Sequence, residues 1–162
     1  MVMRRKAVKQ IFRYLKGTVH YGLVYTRGGT EEVITGYTDS DLIDDIDDRK
    51  STRGIAFYIN DSLVSWNSQK QKTVALSLCE AEFMEAMAAT CQALWLRSLL
   101  RELIGEEPKA VKLFVDKESA IALMKNPVFH GRSKHIDTKF HFIHECIKRS
   151  QIEVKFICTE EQ

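Results

Sequence analysis

No apolar run in this 162-residue sequence approaches the roughly 18 residues that a membrane-spanning helix needs. The opening Met-Val-Met-Arg-Arg-Lys also lacks the apolar stretch of a secretory signal. A soluble, intracellular protein with no membrane partner is expected. The four cysteines, Cys79, Cys91, Cys146 and Cys158, include no C-x-x-C pair. That argues against a zinc site or a disulfide framework and leaves buried free thiols as the expectation. There is no Gly-rich phosphate loop and no G-x-S-x-G turn. A net charge of +2 is too small to mark a nucleic-acid binder by itself, so any such claim must rest on where the charges sit. What is present is ordinary: 44% hydrophobic and 28% charged residues, in a chain long enough to bury a real core as one main domain.

Patterning supplies the elements. Residues 4–16 put Val8, Ile11, Phe12 and Leu15 at helical spacing, with Arg4, Arg5, Lys6, Lys9, Arg13 and Lys16 mostly elsewhere. This basic amphipathic helix reads equally as a solvated face or as a nucleic-acid contact, and Gly17 is its expected stop. A short extended segment around Gly22–Thr26 follows, and Gly28-Gly29 marks a turn or linker. Residues 33–39 and 54–59 are rich in β-branched and aromatic types; Asn60-Asp61 then separates the second run from Leu63-Val64-Ser65-Trp66, a strand that Thr73–Leu76 would extend. From Cys79 to Ile104 the spacing predicts one long helix with two adjacent stripes. One is Met84, Ala88, Cys91, Trp95, Leu99 and Leu103; the other is Ala86, Ala89, Ala93, Leu96 and Leu100. Two stripes imply a helix packed on two sides, ended by Gly105 and Pro108. A strand at 111–115, a helix at 118–125, helical spacing near 136–147 and a strand at 152–157 complete the order β-β-β-α-β-α-α-β. That order suggests an α/β mixed sheet with helices packed against it.

Three acids stand in unusual places. Asp39 and Asp116 each fall at the C-terminal end of a predicted strand, where open α/β sheets usually form ligand sites. Glu82 heads the line Glu82, Ala86, Ala89, Ala93, Leu96 at the rim of a protein-facing stripe. Each alone reads as a cap or a surface charge. Together they would repel one another unless a cation offset their charge. Magnesium suits such a set, because it takes oxygen ligands and binds through a few carboxylates plus substrate phosphate; pairs of such ions about 4 Å apart serve phosphodiester hydrolysis. The acidic run from Asp39 to Asp48 is no calcium loop, since Ile43 holds its fifth position, Asp44 the place of the required Gly, and Lys50 the twelfth. His135, Asp137, His141 and His144 match no standard zinc spacing.

Several segments, in order, resemble the ribonuclease H region of copia-type LTR retrotransposon Pol polyproteins. They are Gly36-Tyr37-Thr38-Asp39-Ser40-Asp41, Asp47-Asp48-Arg49-Lys50-Ser51-Thr52, Val64-Ser65-Trp66 with Lys70-Gln71-Lys72-Thr73-Val74-Ala75, and Cys79-Glu80-Ala81-Glu82-Phe83-Met84. Val115-Asp116 with Ser119-Ala120-Ile121, Lys125-Asn126-Pro127, Lys134-His135-Ile136-Asp137 and Thr159-Glu160-Glu161-Gln162 follow. Residues 1–29, with Arg13-Tyr14-Leu15-Lys16-Gly17-Thr18, are similar to the segment that joins reverse transcriptase to this domain, which leaves 30–162 as the ribonuclease H-like part.

The resemblance implies a ribonuclease H fold with a five-stranded mixed sheet, and magnesium-dependent hydrolysis of the RNA strand of RNA/DNA hybrids during reverse transcription. It implies two Mg2+ ions, with Mn2+ as a substitute, held by Asp39, Glu82 and Asp116, and products with a 3′-hydroxyl and a 5′-phosphate. Glu80 is the rival for the helix position; Glu82, followed by Phe83-Met84, fits the family's pattern better. The implied partners are the hybrid and the reverse transcriptase part of the same polyprotein. The implied compartment is the cytoplasmic retroelement particle, with the nucleus as a second one. Lys70, Lys72, Arg132, Lys134 and Lys139 read either as a path for the nucleic-acid backbone or as solvated charges. Three departures stand out. The family's fourth carboxylate lies on a helix a few residues beyond Thr-Glu-Glu-Gln, whereas this chain stops at Gln162, so the resemblance reads the domain as C-terminally truncated. Lys117 stands where the family usually has Asn, and Leu42-Ile43-Asp44 replaces a commoner Trp-Ala-Gly. These departures keep two alternatives open: a ribonuclease H-like module that binds nucleic acid without cutting it, and a decayed or domesticated fragment that serves protein contacts only.

Overall fold

The computed structural model describes residues 2–25, 32–41, 52–70, 78–125 and 134–158. Along them run α1 (Val2–Gly17), β1 (Ile34–Asp41), β2 (Thr52–Ile59), β3 (Ser62–Lys70), α2 (Leu78–Ile104), β4 (Val111–Val115), α3 (Glu118–Lys125), α4 (Lys134–Lys148) and β5 (Ile152–Phe156). The order of elements is the one the sequence predicts. The strands form one five-stranded sheet in the order β3-β2-β1-β4-β5. The β1–β2 and β2–β3 pairs are antiparallel, and the β1–β4 and β4–β5 pairs are parallel, which makes the sheet mixed.

Alternation along the strands gives the sheet a core face. Ile34 and Thr38 of β1, Ile55 and Phe57 of β2, Val111, Leu113 and Val115 of β4, and Ile152 and Val154 of β5 are buried. Against them pack Phe83, Ala86, Ala89, Ala93, Leu96 and Leu100 of α2, with Ala120 and Met124 of α3 and Phe140 and Ile143 of α4, in one apolar cluster. The alanines let α2 lie close to the sheet, which explains why its alanine-rich stripe is the buried one. The other stripe is not packed as expected: Trp95 is 57% exposed and Leu103 74%, so α2 is buried on one side among the described residues. The thiols are also more open than expected. Cys146 is buried, and that burial raises its pKa, but Cys91 and Cys158 are exposed.

Turn chemistry closes the elements where the sequence places it. Asn60 adopts φ 54°, which asparagine tolerates, and makes the β2–β3 hairpin. Its side-chain Oδ1 accepts from the Val33 amide at 3.1 Å, pinning the hairpin to the start of β1. Gly105, at φ 75°, ends α2 with its amide donating to the Arg101 carbonyl. Arg97 then donates to the carbonyls of Pro108 and Lys109 and pairs with Glu107 at 2.7 Å, holding the turn that feeds β4. The expected extension of β3 at Thr73–Leu76, and the Gly28-Gly29 linker, lie outside the described residues.

α1 forms as predicted, yet every residue from Arg5 to Gly17 is exposed, including Phe12 at 66%. Beyond it the Tyr25 hydroxyl donates to the Leu63 carbonyl at 3.1 Å. Among the described residues no helix is long and apolar enough to cross a membrane.

Gly36 sets how closely the core approaches β1. A Cβ there would stand 2.4 Å from Cε1 of the fully buried Phe57 and 3.1 Å from Leu113 Cδ1. Gly36→Ala is therefore expected to destabilise the fold by about 1–3 kcal/mol, the usual cost of overpacking, read as a lower urea midpoint. An unchanged midpoint would mean that Phe57 moves aside freely.

Candidate functional site

The parallel register of β1 and β4 builds the site. Thr35 pairs with Lys112, Gly36 with Leu113, Tyr37 with Phe114 and Thr38 with Val115. One step beyond that last rung come Asp39, still in β1, and Asp116, the first residue after β4, so the two backbones leave the paired strands side by side. Asp39 is not the last residue of its strand: β1 continues to Asp41 along β2, but its pairing with β4 stops at Thr38. The two acids thus sit where β1 and β4 part, a strand-end position that favours ligand sites.

Several contacts fix that position. The Thr38 hydroxyl, 2% exposed, donates to the Phe114 carbonyl at 3.3 Å, tying the two strands together just before the acids. On the sheet face away from the core, Tyr37 stacks on Phe114 with ring centroids 5.1 Å apart and meets Tyr58 edge to face at 5.7 Å. Asp39 lines an open groove of ≈ 630 Å³ on this face with Tyr37, Tyr58, Trp66 and Ser68.

Asp116 is the more buried acid. Its side chain is only 4% exposed, and Lys117 Nζ lies 3.3 Å from its Oδ2. Its Oδ1 is buried with no hydrogen-bond partner among the described residues. A buried carboxylate oxygen without a donor is costly. An oxygen-seeking cation would satisfy it, and the oxygen-only set that Asp39 and Asp116 present suits magnesium better than zinc.

Glu82 lies in the first two turns of α2, four residues before the buried Ala86. The next residue, Phe83, is fully buried with its ring 3.9 Å from that of Phe140 on α4, which fixes the backbone at this end of α2. The side chains of Glu82 and of its rival Glu80 lie outside the described residues. Among the described residues no three His, Cys, Asp or Glu side chains are grouped as a metal site. The structure therefore places the backbones of Asp39 and Asp116 just past the last β1–β4 rung, and that of Glu82 in the first turns of α2.

The five cations are placed unevenly. Lys139 of α4 reaches over to α2, its Nζ 3.4 Å from Met84 Sδ, two residues beyond Glu82. Lys70 ends β3 and Lys134 begins α4, both with side chains outside the described residues; Lys72 and Arg132 lie wholly outside them. Two features escaped the sequence reading. Glu85, 1% exposed, is a buried acid of α2 whose position follows the helical repeat but carried no motif. The aromatic side chains under Asp39 could have been found from strand alternation, since Tyr37, Ala56 and Trp66 are cross-strand partners on one face.

Comparison with known proteins gives both sequence and fold relatives. No family model matches the chain. It is 42% identical over 156 residues, 96% of its length, to the retrovirus-related Pol polyprotein from transposon TNT 1-94 of Nicotiana tabacum, and it spans 12% of that relative's length. It is also 45% identical over 100 residues, 62% of its length, to secreted RxLR effector protein 161 of Plasmopara viticola, of which it covers 70%. Among solved structures it resembles LC11-RNase H1 in complex with an RNA/DNA hybrid, with a TM-score of 0.55 at 14% identity, over 79% of this chain and 87% of that one. It also resembles a foamy viral protease-reverse transcriptase in complex with dsDNA, with a TM-score of 0.52 at 13% identity, over 96% of this chain and 29% of that one.

The unpartnered Oδ1 carries a prediction about stability. Asp116→Asn keeps the shape, removes a buried charge, and loses an ion pair to a half-exposed lysine that contributes about 0–1 kcal/mol. Metal-free protein carrying this change is expected to unfold in urea within about 1 kcal/mol of the parent, or above it. A loss beyond about 3 kcal/mol would identify Asp116 as a structural acid.

Proposed function

Because the chain belongs to the copia-type, retrovirus-related Pol polyproteins, over a stretch that takes the ribonuclease H fold, we propose that it hydrolyses the RNA strand of RNA/DNA hybrids with magnesium as cofactor. The observation that carries this reading is that Asp39 and Asp116 each follow the last rung of the β1–β4 ladder, with one buried oxygen of Asp116 lacking a donor among the described residues. Asp39, Glu82 and Asp116 would hold the magnesium. When bound, the ion offsets their charge, activates water and stabilises the leaving oxygen of a phosphodiester.

The chain's own residues do the rest. Thr38 and the Tyr37–Phe114 stack keep the two strand ends in register, so that the carboxylates present their oxygens without rearrangement. The LC11 enzyme of the same fold is found with an RNA/DNA hybrid, which supports the same substrate here. Discrimination for RNA would rest on 2′-hydroxyl contacts across the minor groove. Lys70, Lys72, Arg132, Lys134 and Lys139 would follow the backbone, with affinity falling as salt rises. In the same reading α1 and the residues up to 29 are the tail of a reverse transcriptase connection. Its exposed stripe of Val8, Ile11, Phe12 and Leu15 supports this, since a stripe of that kind packs against another body.

A second reading, binding without cleavage, is favoured by the ammonium of Lys117 beside Asp116. One experiment separates the two. Incubation with magnesium and a hybrid carrying an end-labelled RNA strand is expected to give cleavage. That cleavage should stop with a chelator and fall by more than about a hundredfold in Asp116→Asn, beyond what outer-shell partners cost. Hybrid binding that weakens with salt, with no cleavage in either protein, would sink the nuclease and leave the binding module.

A further inference from the structure

Among the described residues, Lys117 is the cation paired with the candidate carboxylate Asp116, and its placement is constrained. It lies two residues beyond β4 and immediately before α3, and its carbonyl accepts the Ile121 amide at 3.2 Å, so its backbone is held at the start of the helix. Its side chain is 44% exposed, while that of Asp116, to which it points, is 4% exposed. The ammonium therefore approaches Asp116 Oδ2 from the solvent side, at 3.3 Å, and leaves the buried Oδ1 without a partner among the described residues. A lysine is a compact, hydrated charge on a flexible stem. It makes a point contact, where an arginine could grip both oxygens and satisfy the carboxylate.

We propose that Lys117 is a tethered counter-ion of the site: its ammonium stands in for a divalent cation at Asp116, and swings away from Oδ2 when such a cation binds. The proposal rests on the reading of Asp39 and Asp116 as cation ligands and adds a positioning residue to it. The two roles pull in opposite directions. Without metal, the ammonium offsets the charge that the β1–β4 register concentrates at one place. With metal, the same ammonium competes for Oδ2 and repels the incoming ion, so the chain binds divalent cations more weakly than a neutral side chain at position 117 would permit.

The test uses Mn2+ alone, titrated calorimetrically into the full chain and into Lys117→Asn, Lys117→Met and Lys117→Arg, with melting curves of each in the presence and absence of Mn2+. The neutral variants are expected to bind Mn2+ at least about fivefold more tightly, the effect of losing one repelling unit charge about 4 Å away even at the dielectric of bulk water. They should also melt lower than the parent without metal and gain more from it, a crossed pattern that a purely structural lysine would not give. Lys117→Arg keeps the charge and can grip both oxygens, so it should bind Mn2+ no more tightly than the parent. Unchanged or weaker Mn2+ binding in both neutral variants, beside measurable binding in the parent, overturns the role of Lys117 and leaves the site intact. No Mn2+ binding by parent or variants overturns the cation site and Lys117's role with it.

Discussion

The parallel pairing of β1 with β4 is the constraint on which the rest of the candidate site depends. Thr38 against Val115 is the last rung of that ladder, and the residue after each is an aspartate. Strand geometry then sets the backbones of the two aspartates side by side just past the last paired rung, with β1 and β4 about 4.8 Å apart at that rung. Like charges that close raise each other's free energy, so the arrangement persists only because packing elsewhere over-determines the strands. That packing is specific. The missing side chain at Gly36 admits the Phe57 ring, Thr38 clamps β1 to the Phe114 carbonyl, and Tyr37 stacks across the same two strands on the outer face. The inner face is sealed by the alanine line of α2, which can approach because alanine takes little room.

The charge at the strand ends is met in two ways. Lys117 supplies a local, half-exposed ammonium to the outer oxygen of Asp116, and the inner oxygen is left with nothing among the described residues. Among the described residues, a buried carboxylate oxygen without a donor costs stability, and a cation at that oxygen would offset the cost. The same logic explains why the buried end of α2 is so firmly anchored. Phe83, next to Glu82, is fully buried against Phe140, so the backbone that carries the third acid cannot drift.

Much of this was legible in the sequence, for identifiable reasons. The element order followed from periodicity and from punctuation by Asn60-Asp61, Gly105 and Pro108, since these residues act locally. Asp39 and Asp116 were legible because strand ends are readable from β-branched runs; their expected closeness came from the resemblance, because parallel pairing joins residues 77 apart and depends on the whole crossover. The two stripes of α2 were both visible, but spacing cannot say which one is covered. The small side chains of Ala86, Ala89 and Ala93 decided it in favour of the sheet, leaving Trp95 and Leu103 exposed. The contact from Lys117 to Asp116 was hidden for a different reason: residues adjacent in sequence normally point apart along a strand, and they meet here only because the chain turns into α3.

The central claim is that Asp39 and Asp116 share one divalent cation where β1 and β4 part. Anomalous diffraction from a crystal soaked in Mn2+ tests it most directly. The account predicts a peak within metal–oxygen bonding distance, about 2.0–2.6 Å, of a carboxylate oxygen from each of the two aspartates. A crystal with no such peak at saturating Mn2+, or with manganese bound only elsewhere on the chain, would contradict it.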